Sequence, residues 1–155
     1  MTHQWRHLPA PARPIAAATD AAVVAARDHD AEALSLAVGE LAALDQAQAG
    51  LILGTTVRLL LELSHPDGLD GDDIRDVLKQ SVRSAATWQP EVDPHVLLVL
   101  LAGALGVHDD EEPPVKPDAL ARHSTLLIAH LLGARPLPEV LTMALSEIER
   151  TQLND

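Results

Sequence analysis

The sequence of 155 residues contains no cysteine, phenylalanine or tyrosine, and its aromatic content of 1% consists of two tryptophans. Without cysteine the chain can form no disulfide, thiolate zinc site or iron–sulfur cluster, and it has no thiol nucleophile. Basic residues are also scarce, since 11 Lys and Arg stand against 23 Asp and Glu for a formal net charge of -12. This charge repels phosphate backbones and anionic lipid, so we expect binding neither to nucleic acid nor to a membrane.

Long hydrophobic runs are absent as well. The longest apolar stretch, residues 96–107, would extend only about 18 Å as a helix, whereas a membrane-spanning helix must cross ~30 Å of hydrocarbon. The N-terminal residues 1–14 are proline-rich and contain no apolar segment typical of a secretory signal. The sequence therefore predicts a soluble, cytoplasmic protein.

Apolar residues recur at every third or fourth position along nearly the whole chain, and no convincing run alternates with period two. This spacing predicts an all-α protein of about seven helices. Asp45 has the character of an N-cap for the third helix, and Asp70 with Asp73 resembles a capping box at the start of the fourth. Gly133 is typical of the residue that follows the end of a helix, here the sixth.

Two arrangements of these helices fit the pattern equally well. In the first, helices two and three, four and five, and six and seven form stacked antiparallel hairpins, whose spacing is similar to that of HEAT-type repeats. In the second, the helices form a compact orthogonal bundle. Either arrangement gives one all-helical domain over residues 14–155, preceded by a flexible N-terminal tail at residues 1–13.

The fifth predicted helix, which contains residues 96–107, is apolar on every side. A helix without a polar face is normally surrounded by other helices, which predicts that this one lies at the centre of the fold. The alternative is a homodimer in which residues 96–107 form the subunit interface. On the third helix, Gly50 and Gly54 have a spacing that predicts close approach of a neighbouring helix.

Three predicted linkers, at residues 28–30, 65–67 and 108–110, each combine histidine with aspartate. If helices one, three and five run in the same direction, these linkers meet at one end of the fold and form an acidic rim that contains histidine. Aspartate also favours turns, and both residue types favour surfaces, so such linkers arise without any function. If the rim is functional, it suits a basic protein partner, bound through His65, Asp67, His108, Asp109 and Asp110.

The same linkers offer a second interpretation, because imidazole and carboxylate are ligands of zinc, manganese and iron. A metal site would use His29, His65, Asp67, His108 and Asp109.

A stretch from His95 through VLLVLLAGALGVHDDEE, together with the later LIAHLLG, is similar to the HD-type metal phosphohydrolases. The resemblance implies an all-helical fold in which adjacent His and Asp hold a metal that activates water. His130 is followed by Leu131, where the family has aspartate. An alignment on His108 and Asp109 supplies the pair but places it in a proline-flanked loop.

Two further features bear on binding. Trp88 ends the fourth predicted helix at a proline-containing turn, where its ring either caps the core or contacts a partner. Tryptophan is a residue type enriched at binding hot spots.

His123 and His130 lie seven residues apart on the sixth predicted helix. We expect both to be partly buried and hydrogen-bonded beside the core.

These observations favour a non-enzymatic, acidic protein-interaction module whose contact surface is the acidic rim or the groove beside Trp88. Sequence motifs for a catalytic serine or for nucleotide phosphates are absent, and no cofactor is expected. One alternative is the metal-dependent phosphohydrolase described above. Another is a small-molecule binder, because a core of Leu and Ala with almost no aromatics packs imperfectly and leaves an apolar pocket.

Overall fold

The computed structural model describes residues 10–107 and 111–153. Over these residues the backbone forms seven α-helices and no strand, which confirms the all-α prediction. Within the same residues, no helix combines the length and apolarity needed to cross a membrane. The helices are α1 (Ala12–Arg27), α2 (Ala31–Ala42), α3 (Gln46–Ser64), α4 (Gly71–Ala86), α5 (Pro94–Ala104), α6 (Pro117–Leu132) and α7 (Leu137–Leu153).

The predicted helix boundaries are set by local capping. The Asp45 side chain accepts a hydrogen bond from the Gln48 amide at 3.0 Å, and Asp70 and Asp73 form the reciprocal bonds of a capping box. Gly133 follows α6 with a φ of 59°, in the left-handed region that glycine adopts without strain. The first helix begins at Ala12, inside the predicted tail, and residues 1–9 of that tail lie outside the described residues.

The centre of the fold is α6, which contacts α1, α2, α3, α4 and α5. A stack of hairpins would pair α2 with α3 and α6 with α7, but neither pair is among the principal helix contacts of the described residues. The arrangement is therefore the compact bundle and not the stack of hairpins.

Burial of α6 is compatible with its polar side chains because they bond to backbone groups. Thr125 donates its hydroxyl hydrogen to the Ala121 carbonyl at 2.7 Å. The buried His123 ring bonds the Ala119 carbonyl through Nδ1 at 2.8 Å and accepts the Asp93 amide hydrogen at Nε2 at 2.9 Å. Buried polar groups that are bonded in this way carry little penalty. The expectation of a buried, hydrogen-bonded histidine is thus confirmed at His123, which links α6 to the start of α5.

The prediction that the fifth helix lies at the centre is wrong. Only Leu97 and Leu101 of α5 are buried, whereas Leu98 is 43% exposed and Val107, just beyond the helix, is 64% exposed. The helix packs against α3, α4 and α6 and leaves apolar side chains uncovered. Burial of such side chains would be favourable, so α5 offers a surface on which an apolar molecule can bind.

Candidate functional site

The uncovered part of α5 lines a groove of about 940 Å³, which we call the α3–α5 groove. Its lining also comes from α3, from residues 112–115 of the α5–α6 loop, and from Leu120 and Ser124 of α6. Three exposed apolar side chains, Leu51, Leu98 and Val107, belong to this lining. The remaining apolar lining residues are aliphatic or glycine: Gly50, Gly54, Val57, Val99, Leu100, Ala102, Gly103, Ala104, Pro113, Pro114, Val115 and Leu120.

The glycines of the groove provide space. A Cβ atom added to Gly54 or Gly103 would meet no atom of a neighbouring element within 4 Å. At Gly50 the nearest atom would be Leu120 Cδ2, at an ordinary van der Waals distance of 3.8 Å. The predicted close approach of a helix is therefore wrong at Gly54, which borders an open volume, whereas at Gly50 the neighbouring α6 supplies Leu120 at contact distance.

The arginine of the groove is paired with carboxylates, and its histidine bonds a glutamate. Arg58 Nη1 lies 2.8 Å from Glu62 Oε1, and Arg58 Nη2 lies 3.6 Å from Glu147 Oε1. His95 Nε2 bonds Glu112 Oε1, which connects the α5–α6 loop to the start of α5. Thr55 and Ser124 add hydroxyl groups to the lining. The groove thus combines aliphatic walls with paired charges and two hydroxyls, a composition that suits a neutral molecule better than a charged one.

The first two His/Asp linkers lie next to the same turn of the molecule. Arg27, which precedes the first linker, donates to the Gly133 carbonyl at 2.9 Å. Arg135 donates to the Leu63 carbonyl at 3.3 Å, close to the start of the second linker. Both linkers therefore adjoin the turn between α6 and α7.

The side chains of these two linkers have different environments. The His29 ring stacks on Trp88, with ring centroids 5.1 Å apart and an angle of 6° between the ring planes. His65 Nδ1 lies 3.0 Å from the Leu61 carbonyl oxygen, and Asp67 is exposed in the turn that follows. The structure thus brings together His29 and Trp88, two candidate residues whose contact was not predicted from the sequence.

All three residues of the third linker, His108, Asp109 and Asp110, lie outside the described residues. Its described neighbours Val107 and Glu112 line the α3–α5 groove. Among the residues that the structure describes, no group of three or more His, Asp or Glu side chains is arranged to hold a metal ion. The metal site that combines His29, His65 and Asp67 with the third linker stays a prediction.

Sequence reasoning did not identify the α3–α5 groove as a site. Two signals for it were present: a helix that is apolar on every side, and Gly50 and Gly54 on another helix. Each of these patterns also predicts close packing, because the sequence does not show whether a neighbour covers such a surface. The pairing of Arg58 with Glu62, by contrast, follows from their spacing of four residues on a helix.

Fold and groove together define an all-α bundle with an aliphatic groove on its surface. In comparisons with known proteins, the chain matches no family model and has no significant match among curated proteins or solved structures. The chemistry of the groove is therefore the basis for a functional interpretation.

Proposed function

We propose that this protein is a non-enzymatic binding protein whose ligand is a neutral, largely aliphatic small molecule held in the α3–α5 groove. The observation that carries the proposal is the concave volume of about 940 Å³ with aliphatic walls. Sites for small molecules typically measure about 300–1,000 Å³ and combine apolar lining with a few polar groups that orient the ligand.

The chemistry of the lining specifies the ligand class. Burial of each ligand methylene contributes about 0.8 kcal/mol, and the aliphatic walls offer no aromatic ring for stacking. Arg58 already has two carboxylate partners, and the lining also includes the Glu112 carboxylate, so an anionic ligand gains little in this groove. A single hydroxyl on the ligand can bond Thr55 or Ser124 at the groove wall.

The shape of the surface favours a small molecule over a protein partner. A stable protein interface buries about 800 Å² on each partner and is centred on anchor residues that are mostly Trp, Tyr and Arg, seldom Leu or Val. The exposed side chains Leu51, Leu98 and Val107 instead lie in the lining of a concave volume. The basic protein partner, the homodimer through residues 96–107 and the phosphohydrolase remain competing proposals.

Titration with a series of linear alcohols from 1-hexanol to 1-decanol tests the proposed function. We expect the affinity, measured by isothermal titration calorimetry, to increase about fourfold with each added methylene, as the burial of one such group predicts. The heat capacity change of binding should be negative, because apolar surface is removed from water.

The alcohol titration gives a different result if the α3–α5 groove has another occupant or none. Absence of binding up to the solubility limit, or an affinity that does not depend on chain length, would contradict the proposal. A homodimer that is dissociated by Leu98→Arg and does not bind alcohols would assign the groove to a second copy of the chain. Oligomeric state is measured by light scattering during size-exclusion chromatography, with and without 1-decanol.

A further inference from the structure

A second cavity, of about 170 Å³, lies between α1, α4 and α6 and beside the His29–Trp88 stack. Its polar lining consists of Arg27, His29, Ser81, Ser84 and His130. The rest of the lining is the Trp88 ring together with alanine and leucine side chains of the three helices. The wall of the cavity thus combines hydrogen-bonding groups with apolar side chains.

Ser81 contributes a buried, unpaired hydroxyl group to the wall of this cavity. The residue is 2% exposed, and its hydroxyl oxygen has no hydrogen-bond partner among the described residues. Nearly all buried hydroxyl groups in proteins are bonded to the protein or to a bound molecule, because an unpaired one costs about 1–3 kcal/mol. A lining position with an unpaired hydroxyl is therefore a place where a bound molecule would be stabilised.

His29 forms part of the cavity wall in an unusual backbone conformation. Its φ of 55° lies in the left-handed region, which is uncommon for residues other than glycine. In this conformation its ring lies parallel to the Trp88 indole and beside the cavity. This conformation closes the C-terminus of α1, since the His29 amide donates to the Ala26 carbonyl at 3.2 Å and the Asp30 amide donates to the Ala25 carbonyl at 2.9 Å.

We propose that this cavity binds the carboxylate of a small organic acid. Its lining offers a guanidinium, two imidazoles and two hydroxyls, and it includes no Asp or Glu side chain. The flanking residue Asp30 directs its carboxylate to the Ala33 amide at the start of α2 and is not part of the lining. One nitrogen of Arg27 already donates to the Gly133 carbonyl, and the remaining donors of the lining can bond a carboxylate without an adjacent negative charge in the cavity wall.

The apolar part of the cavity sets the size of the acid. A volume of about 170 Å³ corresponds to roughly five water-sized groups, at about 30 Å³ for each. Acetate or butyrate has a suitable number of atoms, and the alkyl part of butyrate would contact Trp88 and the alanine side chains. Phosphate offers no apolar part and would leave this side of the cavity unfilled.

The proposal is tested with butyrate, acetate and phosphate as probes, each compared with chloride at equal ionic strength. In Trp5→Phe, which leaves Trp88 as the only tryptophan, butyrate is expected to change the indole fluorescence with saturation at millimolar concentration. Ser81→Ala in the same background should weaken butyrate binding at least fivefold. It should also raise the ligand-free melting temperature by about 2–4 °C, because an unpaired buried hydroxyl is removed.

Ser146→Ala is the matched control, since Ser146 is exposed on α7 and does not line the cavity. It should change neither the butyrate affinity nor the melting temperature. Equal butyrate affinity in Ser81→Ala and the parent protein would overturn the proposal, as would equal responses to phosphate and butyrate. A lower melting temperature in ligand-free Ser81→Ala would overturn it too, because the hydroxyl would then be bonded to structural water. Binding of 1-decanol is expected to be unaffected by Ser81→Ala, so this test is independent of the α3–α5 groove.

Discussion

Replacement of His123 by leucine is expected to lower the free energy of unfolding by about 2 kcal/mol at pH 7.5, because the Asp93 amide loses its acceptor in a partly buried position. Leucine retains much of the side-chain volume, so the loss comes mainly from the hydrogen bond. For a chain of this size the melting temperature should fall by about 4–8 °C. Circular dichroism at 222 nm during thermal and urea denaturation measures both quantities.

The same substitution should change how stability depends on pH. Burial lowers the pKa of His123 and of His130 below the ordinary value of 6.5. Their contribution to stability is therefore fully present above pH 6.5 and is lost as the pH falls towards the lower folded-state pKa values. Burial raises the pKa of Asp20, which acts in the opposite direction at lower pH. The informative quantity is thus the difference between wild type and His123→Leu from pH 7.5 to 5.5, where the variant should lose less stability.

His130→Leu provides the matched control on the same helix. Its ring is half-buried and does not accept the Asp93 amide hydrogen, so at pH 7.5 it should cost less than half as much as His123→Leu. It should nevertheless reduce the loss of stability on acidification, because its pKa is also lowered by burial. If His123→Leu were as stable as the wild type at pH 7.5, or if its stability depended on pH as that of the wild type does, the role given to His123 would be contradicted.

Gly54→Leu is expected to weaken the binding of 1-decanol at least tenfold. A side chain at this position meets no neighbouring element within 4 Å at its Cβ atom and extends into the α3–α5 groove, where it competes with the ligand for volume. The substitution should not disturb folding, because leucine is favoured over glycine inside a helix by about 0.5–1 kcal/mol. Calorimetric titration gives the affinity, and urea denaturation confirms that the variant is folded.

Gly39→Leu is the control for this prediction. Gly39 lies on α2, outside the groove lining, and a Cβ atom there also meets nothing within 4 Å. This variant gains the same helix propensity and should bind 1-decanol as the wild type does. An equal loss of affinity in both variants, or no loss in either, would contradict the assignment of the ligand to the groove.

The features of the fold that could be predicted from the sequence are those set by local interactions. Asp45, Asp70 and Gly133 determine where α3, α4 and α6 begin or end, because capping involves residues only a few positions apart. The number of helices follows from the same signals and from apolar spacing. The position of each helix in the bundle does not, because packing depends on residues that are distant in sequence.

A comparison of α5 with α6 shows why the position of a helix in the bundle could not be predicted from its own sequence. Composition favours α5 as the central helix, since its residues are apolar, whereas α6 contains His123, Ser124 and Thr125. In the structure His123 and Thr125 bond to backbone groups, which permits burial, and the aliphatic side chains of α5 line a groove. The hydrophobicity of a helix therefore indicates that it contacts apolar surroundings but does not distinguish a protein core from a ligand site.

The candidate sites depend even more on distant residues. Nothing in the sequence indicates that His29 stacks on Trp88, or that Ser81 lines a cavity with His130. The prediction that His29, His65 and Asp67 belong to one rim requires helices one, three and five to run in the same direction, which local sequence does not determine. The structure places the first two linkers beside the α6–α7 turn. Val107 and Glu112, which lie on either side of the third linker, contribute to the lining of the α3–α5 groove.

The most direct test of ligand binding in the α3–α5 groove is the measurement of nuclear Overhauser effects between bound 1-decanol and the methyl groups of the protein. We expect contacts to Leu51, Leu98 and Val107, which line the groove. Val24 and Leu36, which are equally apolar and exposed but lie outside it, should show none. Contacts of similar intensity to all five residues, or contacts to Val24 and Leu36 alone, would show that the alcohol binds elsewhere and would contradict the proposed function.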